Sequence, residues 1–378
     1  MVSRRMFLQT GAAAIAVTGA AGSWWAATRA PDKALAPWAD AAAGYGDPRL
    51  DALAYAVLAP NPHNRQPWQV ELVGDNAFDL TCDLDRRLPD TDPFDRQTII
   101  GLGCFLELFR MAAAAQGYFA VIEPFPDGLP AHRLDKRRVA RVMLQAAEPI
   151  RDPLFDAVLL RRSNKEPYDT AQAVPDGLFS ELTVPRAVGG TLDPARVANL
   201  CDLSWRAHQV EMLTPDTLME SVDLMRFGKT EVEANPDGID FSGVKFELLY
   251  KTGIMTRGSL SDPNSEAFKQ GMDMFRGMLH SAMGHVWVQT QDNGRHAQLN
   301  AGRAWVRLNL HATKLGLAVH PLSQALQEYP EMAELYAEIH KKLGVPAPAR
   351  IQMFARVGYA PQVAPTPRWS LASRLVSA

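Results

Sequence analysis

The chain has 378 residues, of which 47% are hydrophobic, and this length allows two or three domains with a well-buried core. The formal net charge of −3 gives no sign of a nucleic-acid-binding protein, which would be expected to carry a strongly basic face. The three cysteines, Cys82, Cys104 and Cys201, lack Cys-x-x-Cys spacing. They predict buried apolar positions, and neither a disulfide framework nor a thiolate metal site is indicated.

The N-terminal segment 1–36 is predicted to be a targeting segment. Arg4-Arg5 precedes a Phe-Leu pair and the weakly apolar run 10–27, which suits a signal sequence better than a stable membrane span. This arrangement resembles a twin-arginine export signal; the alternative is a chance arginine pair beside an anchor helix. Ala34-Leu35-Ala36 is typical of a cleavage site, but Pro37 follows it, so an earlier cut or a retained N-terminal anchor stays open.

The resemblance to a twin-arginine signal has a consequence for function. That route exports proteins that have already folded, so it implies a cofactor that is bound before export. We therefore expect a periplasmic or otherwise extracytoplasmic protein that meets the twin-arginine export machinery. It is then either released or tethered to the membrane through its N-terminus. Without a disulfide framework, its stability would rest on the core and the cofactor.

The next part of the chain alternates helices and strands. Hydrophobic periodicity and turn residues predict helices over 51–59 and 95–117, and strands over 69–73, 78–84, 119–125 and 139–144. The segment from Pro149 to Pro153 indicates a boundary. A new helix is expected to follow it and to end at Arg161.

The remaining part mirrors this order with longer segments. It predicts helices over 193–213, 265–283 and 297–315, and strands over 285–289, 317–320 and 351–359. Residues 226–264 are rich in Gly, Asp, Asn and Lys and have weak periodicity, which is typical of an inserted lid or loop. The whole pattern predicts an α+β fold of two halves, 37–150 and 151–378.

The most specific motif is the loop Pro60-Asn61-Pro62-His63-Asn64-Arg65-Gln66-Pro67-Trp68. Its prolines and asparagines stiffen a loop that can lay backbone and amide groups against a planar ring. Trp68 is interpreted as a core anchor. His63 either faces a substrate or is simply hydrogen-bonded.

A second motif, Arg161-Arg162-Ser163-Asn164-Lys165, concentrates positive charge at the predicted boundary. By itself it would indicate the solvated basic end of a helix. Together with the first motif it suggests the cationic side of a flavin site. A flavin phosphate needs cationic donors, and the ring edge that becomes anionic on reduction needs a positive charge.

Together the two motifs resemble the FMN site of the nitroreductase family, with its two halves in reversed order. The resemblance implies that Arg161 and Ser163 bind the phosphate and ribityl chain, and that Lys165 lies near the N1/O2 edge of the ring. Arg162 is expected to bind through its side chain or its backbone. Ring contacts are expected from Pro60, Asn61, Pro62, Asn64 and Gln66. The family usually carries small hydroxyl residues at the positions of Asn61 and Pro62.

Two C-terminal features extend the resemblance. The predicted helix over 297–315 is followed by a segment that matches the family's loop beside flavin N5. Backbone contacts to the ring are expected from Pro321, Leu322, Ser323 and Gln324. Arg368 occupies the place where the family has a phosphate-binding cation.

The number of motifs leads to the main structural prediction. The sequence has one loop of the first type and one basic motif, which are the parts of one composite site, whereas a homodimeric nitroreductase has two. The resemblance is to the Acg-like, twin-domain branch of the family. It implies a nitroreductase-like α+β fold whose two half-domains form an intramolecular pseudo-dimer around one FMN.

Two functions remain open from the sequence. One is an FMN-dependent oxidoreductase that passes hydride through flavin N5, from a small-molecule electron donor to an electron-poor acceptor such as a nitro-aromatic or a quinone. The other is an FMN-binding or sequestering protein with little or no turnover, which the presumed lid and the extracytoplasmic address favour. A third hypothesis is that a membrane quinone pool or an electron-transfer protein reduces the flavin, but no sequence motif indicates it. No catalytic side chain is assigned, and the histidine spacing gives no metal site.

Overall fold

The structure of the protein, a computed structural model, describes residues 29–376. The twin-arginine motif lies outside this range. The α-helices are α1 Asp32–Asp40, α2 Pro48–Ala56, α3 Arg96–Ala115, α4 Asp176–Leu182, α5 Pro194–Leu213, α6 Pro215–Asp223, α7 Gly228–Ala234, α8 Val244–Lys251, α9 Arg257–Ser261, α10 Glu266–His280, α11 Arg295–Lys314 and α12 Ala333–Leu343. The β-strands are β1 Trp68–Val73, β2 Ala77–Cys82, β3 Tyr118–Pro124, β4 Ala140–Ala146, β5 Val188–Thr191, β6 Met225–Phe227, β7 Ile239–Phe241, β8 Gly284–Thr290, β9 Ala318–Pro321 and β10 Arg350–Gly358.

The predicted α+β class is confirmed, and the two main sheets have the same topology. The first sheet has the order β1-β2-β4-β3 and the second has the order β5-β8-β10-β9. All neighbouring strands in both sheets are antiparallel. In each sheet a long helix, α3 or α11, follows the second strand and leads to the outer strand. Each half of the chain thus contains one copy of the same strand and helix arrangement.

The helices α3 and α11 meet at two glycines. A Cβ atom at Gly103 would lie 2.2 Å from the carbonyl oxygen of Leu299, and one at Gly302 would lie 2.1 Å from that of Ile100. Only glycine allows the two backbones to approach so closely. One continuous hydrophobic core includes residues of both helices and both sheets, so the two halves do not bury their apolar faces separately.

Several buried residues agree with their predicted roles. Trp68 is fully buried and stacks on Phe105 with 5.2 Å between ring centroids, as expected of a core anchor. Cys82, Cys104 and Cys201 are buried and free. Within residues 29–376, α3 is the helix whose length and composition would suit a membrane span. Its side chains are nevertheless mostly buried, because it is the central helix of the core.

The second half contains a long insertion. Residues 74–76 join β1 to β2, whereas residues 192–283 separate the corresponding strands β5 and β8. The insertion carries α5 to α10 and a small parallel sheet of β6 and β7. The segment 226–264 is therefore not a loop but a folded part of a longer insertion. Its periodicity is weak because its helices have only one or two turns, which are held by an aromatic stack of Phe227, Phe241 and Tyr250.

The prediction of a helix before the second motif is wrong. Only a single 3-10 turn, Phe155–Ala157, is present there. Pro153 cannot lie in a helix interior, and Arg161 contacts the Leu58 carbonyl. The few residues between these two constraints are too short to form a stable helix.

The C-terminal tail returns to the first half. The backbone N–H of Arg368 donates to the carbonyl of Ala34 at 2.7 Å, and the Trp38 indole donates to the carbonyl of Thr366 at 2.8 Å. Farther along, the N–H of Val376 donates to the carbonyl of Val70 at 2.9 Å. The tail and α1 thus hold Arg368 against the loop that precedes β1.

Candidate functional site

The loop before β1 has a strained backbone, which is stabilised by hydrogen bonds of the Asn61 side-chain amide. His63, Asn64 and Gln66 have positive φ angles of 45°, 53° and 52°, which are uncommon for residues other than glycine. The Asn61 side chain accepts a hydrogen bond from the Gln66 N–H at 2.7 Å and donates to the Ala59 carbonyl at 3.0 Å. Strain held in this way is frequent at ligand sites.

The Gln66 side chain is used within the protein. Its amide nitrogen donates to the carbonyl of Pro236 at 2.7 Å, and its amide oxygen accepts from the N–H of Trp369 at 2.8 Å. The residue is fully buried. Gln66 therefore joins the loop to the insertion and to the tail, while Pro60, Asn61 and Pro62 are partly exposed. The opposite side of the loop packs on α3 at Gly101, where a Cβ would lie 2.9 Å from the Asn61 Cβ.

The adjacent residues Arg161 and Arg162 meet Arg368, which is far away in the sequence, beside this loop. The Arg161 and Arg368 guanidinium groups both donate to the Leu58 carbonyl at 3.2 Å. Arg368 also donates to the Asn64 side chain at 2.6 Å. The Arg162 and Arg368 guanidinium carbons lie 4.7 and 5.5 Å from the centre of the Trp38 ring. We call Arg161, Arg162 and Arg368 the arginine cluster.

The arginine cluster is not neutralised by carboxylates of the described part of the chain. None of its members forms an ion pair with any carboxylate in residues 29–376. Burial lowers the pKa of Arg161 to about 10. Burial, and then the charges of Arg161 and Arg162, hold the pKa of Arg368 well below its ordinary value. The buried Arg368 Nε has no hydrogen-bond partner. Buried cations without partners are costly, and a bound anion would remove that cost.

The rest of the second motif lies between the cluster and β9. The N–H of Asn164 donates to the Val319 carbonyl at 2.9 Å, and Ser163 is partly exposed. Lys165 is exposed to solvent. Desolvation is nevertheless the main cause that lowers its pKa, and the charge of Asp240 in the insertion acts to raise this pKa. Lys165 is thus accessible to solvent, and the protein around it disfavours its charge.

The predicted loop after β9 offers fewer groups than expected. Pro321 has no N–H, and the N–H of Leu322 donates to the Phe354 carbonyl at 2.8 Å. The Leu322 side chain is buried in the core. The N–H groups of Ser323 and Gln324 make no hydrogen bond within the described part of the chain. They are the groups of this loop that remain for a ligand.

Further titratable groups surround Lys165. Burial lowers the pKa of His63, Glu211 opposes this effect, and Lys165 adds to it. Burial acts to raise the pKa of Glu211, but hydrogen bonding to His208, together with the charges of His208 and His63, lowers it below its usual range. The Glu211 carboxylate accepts a hydrogen bond from Gln327 at 2.7 Å. The insertion therefore supplies the carboxylates that act on this part of the site, Glu211 on His63 and Asp240 on Lys165.

The comparisons with known proteins point in the same direction as the motifs. No family model matches the chain. The "Putative NAD(P)H nitroreductase acg" of Mycobacterium tuberculosis is 28% identical over 334 residues, which cover 84% of this chain and 90% of that protein. A second protein of this organism, "Putative NAD(P)H nitroreductase Rv3131", is 27% identical over 335 residues, which cover 84% and 88%.

Both relatives are named as nitroreductases. The resemblance to the Acg-like proteins is thus found across most of the chain. Among solved structures, a nitroreductase from Anabaena variabilis aligns with 80% of this chain and 82% of its own, at 12% identity and a TM-score of 0.41. The FMN-dependent nitroreductase NfnB from Mycobacterium smegmatis, in complex with NADPH, aligns with 56% and 92%, at 19% identity and a TM-score of 0.33.

Three site residues were not found from the sequence. Trp38 gave no signal, because a single aromatic in a short helix is common. Arg356 was visible as a charged residue between apolar neighbours in strand β10, which is a signal for a buried polar role. His320 lies in the predicted strand over 317–320, and its spacing from the other histidines indicated no metal site. Its relation to Arg356 depends on the strand register, which no sequence pattern revealed.

Proposed function

We propose that the protein is an FMN-dependent oxidoreductase of the nitroreductase type. The observation that carries this proposal is the arginine cluster, in which two buried cations and one partly exposed cation have no carboxylate partner within residues 29–376. The chemistry of this donor set fits a phosphate, because planar guanidinium groups bind phosphate oxygens well. Bound FMN would supply hydride transfer through N5, from a donor such as NAD(P)H to an electron-poor acceptor such as a nitro-aromatic or a quinone.

Each element of the site has a separate task in this proposal. The arginine cluster holds the phosphate, and Asn64 orients Arg368 through its side-chain oxygen. Lys165 supplies positive charge at the edge of the ring. The N–H groups of Ser323 and Gln324 are available to its polar atoms. In this proposal the site lies at the junction of the two half-domains, 37–150 and 151–378, and each chain binds one FMN.

The absorbance spectrum of the purified protein tests the proposal. We expect a flavin spectrum with one FMN per chain. Colourless protein that binds no added FMN would contradict it.

We also propose export by the twin-arginine route to the periplasm. A cut after residue 36 would remove Ala34, whose carbonyl anchors Arg368, so N-terminal sequencing of the same sample is expected to show a cut before Asp32 or a retained anchor.

A second candidate function is flavin storage with little turnover. The observation that favours it is the firm attachment of the insertion to the loop before β1. The carboxylate of Asp237 pairs with three arginines, Arg65, Arg86 and Arg226, at 3.0 Å for Arg65 and 3.2 Å for Arg226. Rapid reduction of the flavin by NADH or NADPH in the intact protein would contradict storage.

Asp237→Asn is expected to loosen this attachment. The substitution keeps the size of the side chain but leaves three partly buried arginines without their shared carboxylate. We expect a loss of about 2–3 kcal/mol in the free energy of unfolding, less than for fully buried pairs, because the arginines are partly exposed. FMN should also dissociate at least tenfold faster, which stopped-flow fluorescence would measure. Asp127→Asn, at the partly exposed pair with Arg138, is the control and should change neither quantity appreciably.

A further inference from the structure

Three strands of the second sheet align two histidines and an arginine in one row. Arg356 of β10 is paired with His285 of β8 on one side and with His320 of β9 on the other. Directly paired residues of antiparallel strands point to the same face of the sheet. All three residues are at least nine-tenths buried, with exposed fractions of 0% for Arg356 and His285 and 5% for His320.

Arg356 uses its guanidinium group to hold two parts of the site. Its Nε donates to His320 Nδ1 at 3.2 Å. One terminal nitrogen donates to the Glu166 carbonyl at 2.8 Å and reaches the Asn164 carbonyl at 3.4 Å. These two carbonyls flank Lys165 in the sequence. Arg356 therefore fixes the backbone on both sides of Lys165 and the ring of His320 at the same time.

The contact with Arg356 determines where His320 carries its proton. An arginine Nε–H is always a donor, so the His320 Nδ1 that faces it must be an acceptor without a proton. In the neutral ring the proton then resides on Nε2. A proton on Nδ1 would set two N–H groups against each other. Burial, and next the charge of Arg356, hold the pKa of His320 well below its usual value, with smaller contributions from Lys165 and His208.

The second ring nitrogen of His320 is available to a ligand. Within residues 29–376, Nε2 has no hydrogen-bond partner, but it is not among the polar atoms that are sealed from solvent. Both ring nitrogens of His285, in contrast, are sealed and have no partner in this part of the chain. The charged or titratable groups around the His320 ring are Arg356, Lys165 and His208. His320 therefore shares its electrostatic environment with Lys165.

We propose that His320 is a permanently neutral hydrogen-bond donor to the bound flavin ring, with Arg356 as the positioning residue that fixes both His320 and Lys165. The proposal rests on the flavin binding proposed above. A donor that carries no charge stabilises added negative charge on a ring without itself titrating. His320 and Lys165 would thus favour the reduced flavin together, one as a dipole and the other as a cation.

Selective ¹⁵N labelling of histidine tests the tautomer directly in the flavin-bound protein. We expect NMR to show His320 neutral, with its proton on Nε2, across the range from about pH 5 to 9. Arg356→Lys removes the Nε donor and should let His320 exchange between tautomers. A His320 ring that titrates near its ordinary pKa of about 6.5, or that carries its proton on Nδ1, would overturn the proposal.

Flavin affinity and midpoint potential test the role of the donor. His320→Leu is expected to weaken FMN binding about tenfold and to lower the midpoint potential. His320→Gln, which restores an N–H at the end of the side chain, should recover most of both. His285→Gln is the matched control and should leave FMN affinity unchanged. Where His320→Leu does not fold, as judged by circular dichroism, Arg356→Lys replaces it.

The outcomes separate this proposal from the proposed function. A wild-type protein that binds no FMN would contradict both, whereas the tautomer of His320 in that flavin-free protein would still test the contact with Arg356. A wild-type protein that binds FMN, with unchanged affinity and potential in His320→Leu, would overturn the role of His320 alone.

Discussion

Replacing Arg161 by methionine is expected to weaken flavin binding and at the same time to stabilise the flavin-free protein. Arg161 is buried without a carboxylate, and burial lowers its pKa to about 10. Its charge is therefore a cost to the folded state unless an anion is bound. Its hydrogen-bond acceptor, the Leu58 carbonyl, keeps a second donor in Arg368, so the substitution leaves no orphaned acceptor there.

The two effects have different sizes and opposite signs. Loss of a charge-assisted contact to the phosphate should weaken FMN binding by about 1.5–3 kcal/mol. Loss of the unpaired buried charge should raise the free energy of unfolding of the flavin-free protein by about 1–3 kcal/mol. FMN titration followed by fluorescence and urea unfolding of the stripped protein measure the two quantities separately.

Arg303→Met provides the control for Arg161→Met. Arg303 is half exposed and pairs with Glu107 at 3.1 Å, far from the arginine cluster in the sequence. Its removal should cost less than about 1 kcal/mol of stability, because Glu107 keeps Arg110 and Arg307. FMN binding should not change. If Arg161→Met retained FMN as tightly as Arg303→Met, the cluster would not be the phosphate site.

Gly302→Ala is expected to be the most destabilising small substitution in the core. The added Cβ would lie 2.1 Å from the Ile100 carbonyl oxygen and 2.8 Å from both the Cys104 nitrogen and the Gly103 Cα. These are backbone atoms of α3, so no side chain can move aside, and the two helices have to separate. We expect a loss of about 3 kcal/mol or more in the free energy of unfolding.

Gly271→Ala makes the comparison decisive. Gly271 lies within α10, and a Cβ there would meet no atom within 4 Å. Alanine is favoured over glycine in a helix, so this variant should gain about 0.5–1 kcal/mol. Urea unfolding of both variants tests the prediction. Equal stabilities would show that the close approach of α3 and α11 does not limit the packing of the two halves.

Local patterns were sufficient to predict most of the regular structure. The helix predicted over 95–117 is α3, and the one over 297–315 is α11, because both have a long apolar face and clear end signals. Seven of the eight strands of the two main sheets begin and end within a few residues of the predicted ranges, whereas β5 was not predicted. The helix predicted before Arg161 is replaced by a single 3-10 turn, and the predicted loop over 226–264 is folded.

The candidate site was partly predictable. Arg161 and Arg368 are far apart in the sequence, and only the resemblance to a family suggested that both bind one phosphate. The structure brings them to the same carbonyl. Two further contacts depend on how distant segments meet. They are the hydrogen bond from the Gln66 amide to the Pro236 carbonyl and the one from Arg356 to His320. Such contacts leave no local pattern, because each residue alone is compatible with many environments.

The return of the tail to the first half has a consequence for the life of the protein. Arg368 completes the arginine cluster, and it is synthesised after both sheets and after every other residue of the site. A nascent chain can therefore form its core before it is able to hold an anion tightly. Chains that end before Arg368 keep two of the three cations and should hold an anion less tightly.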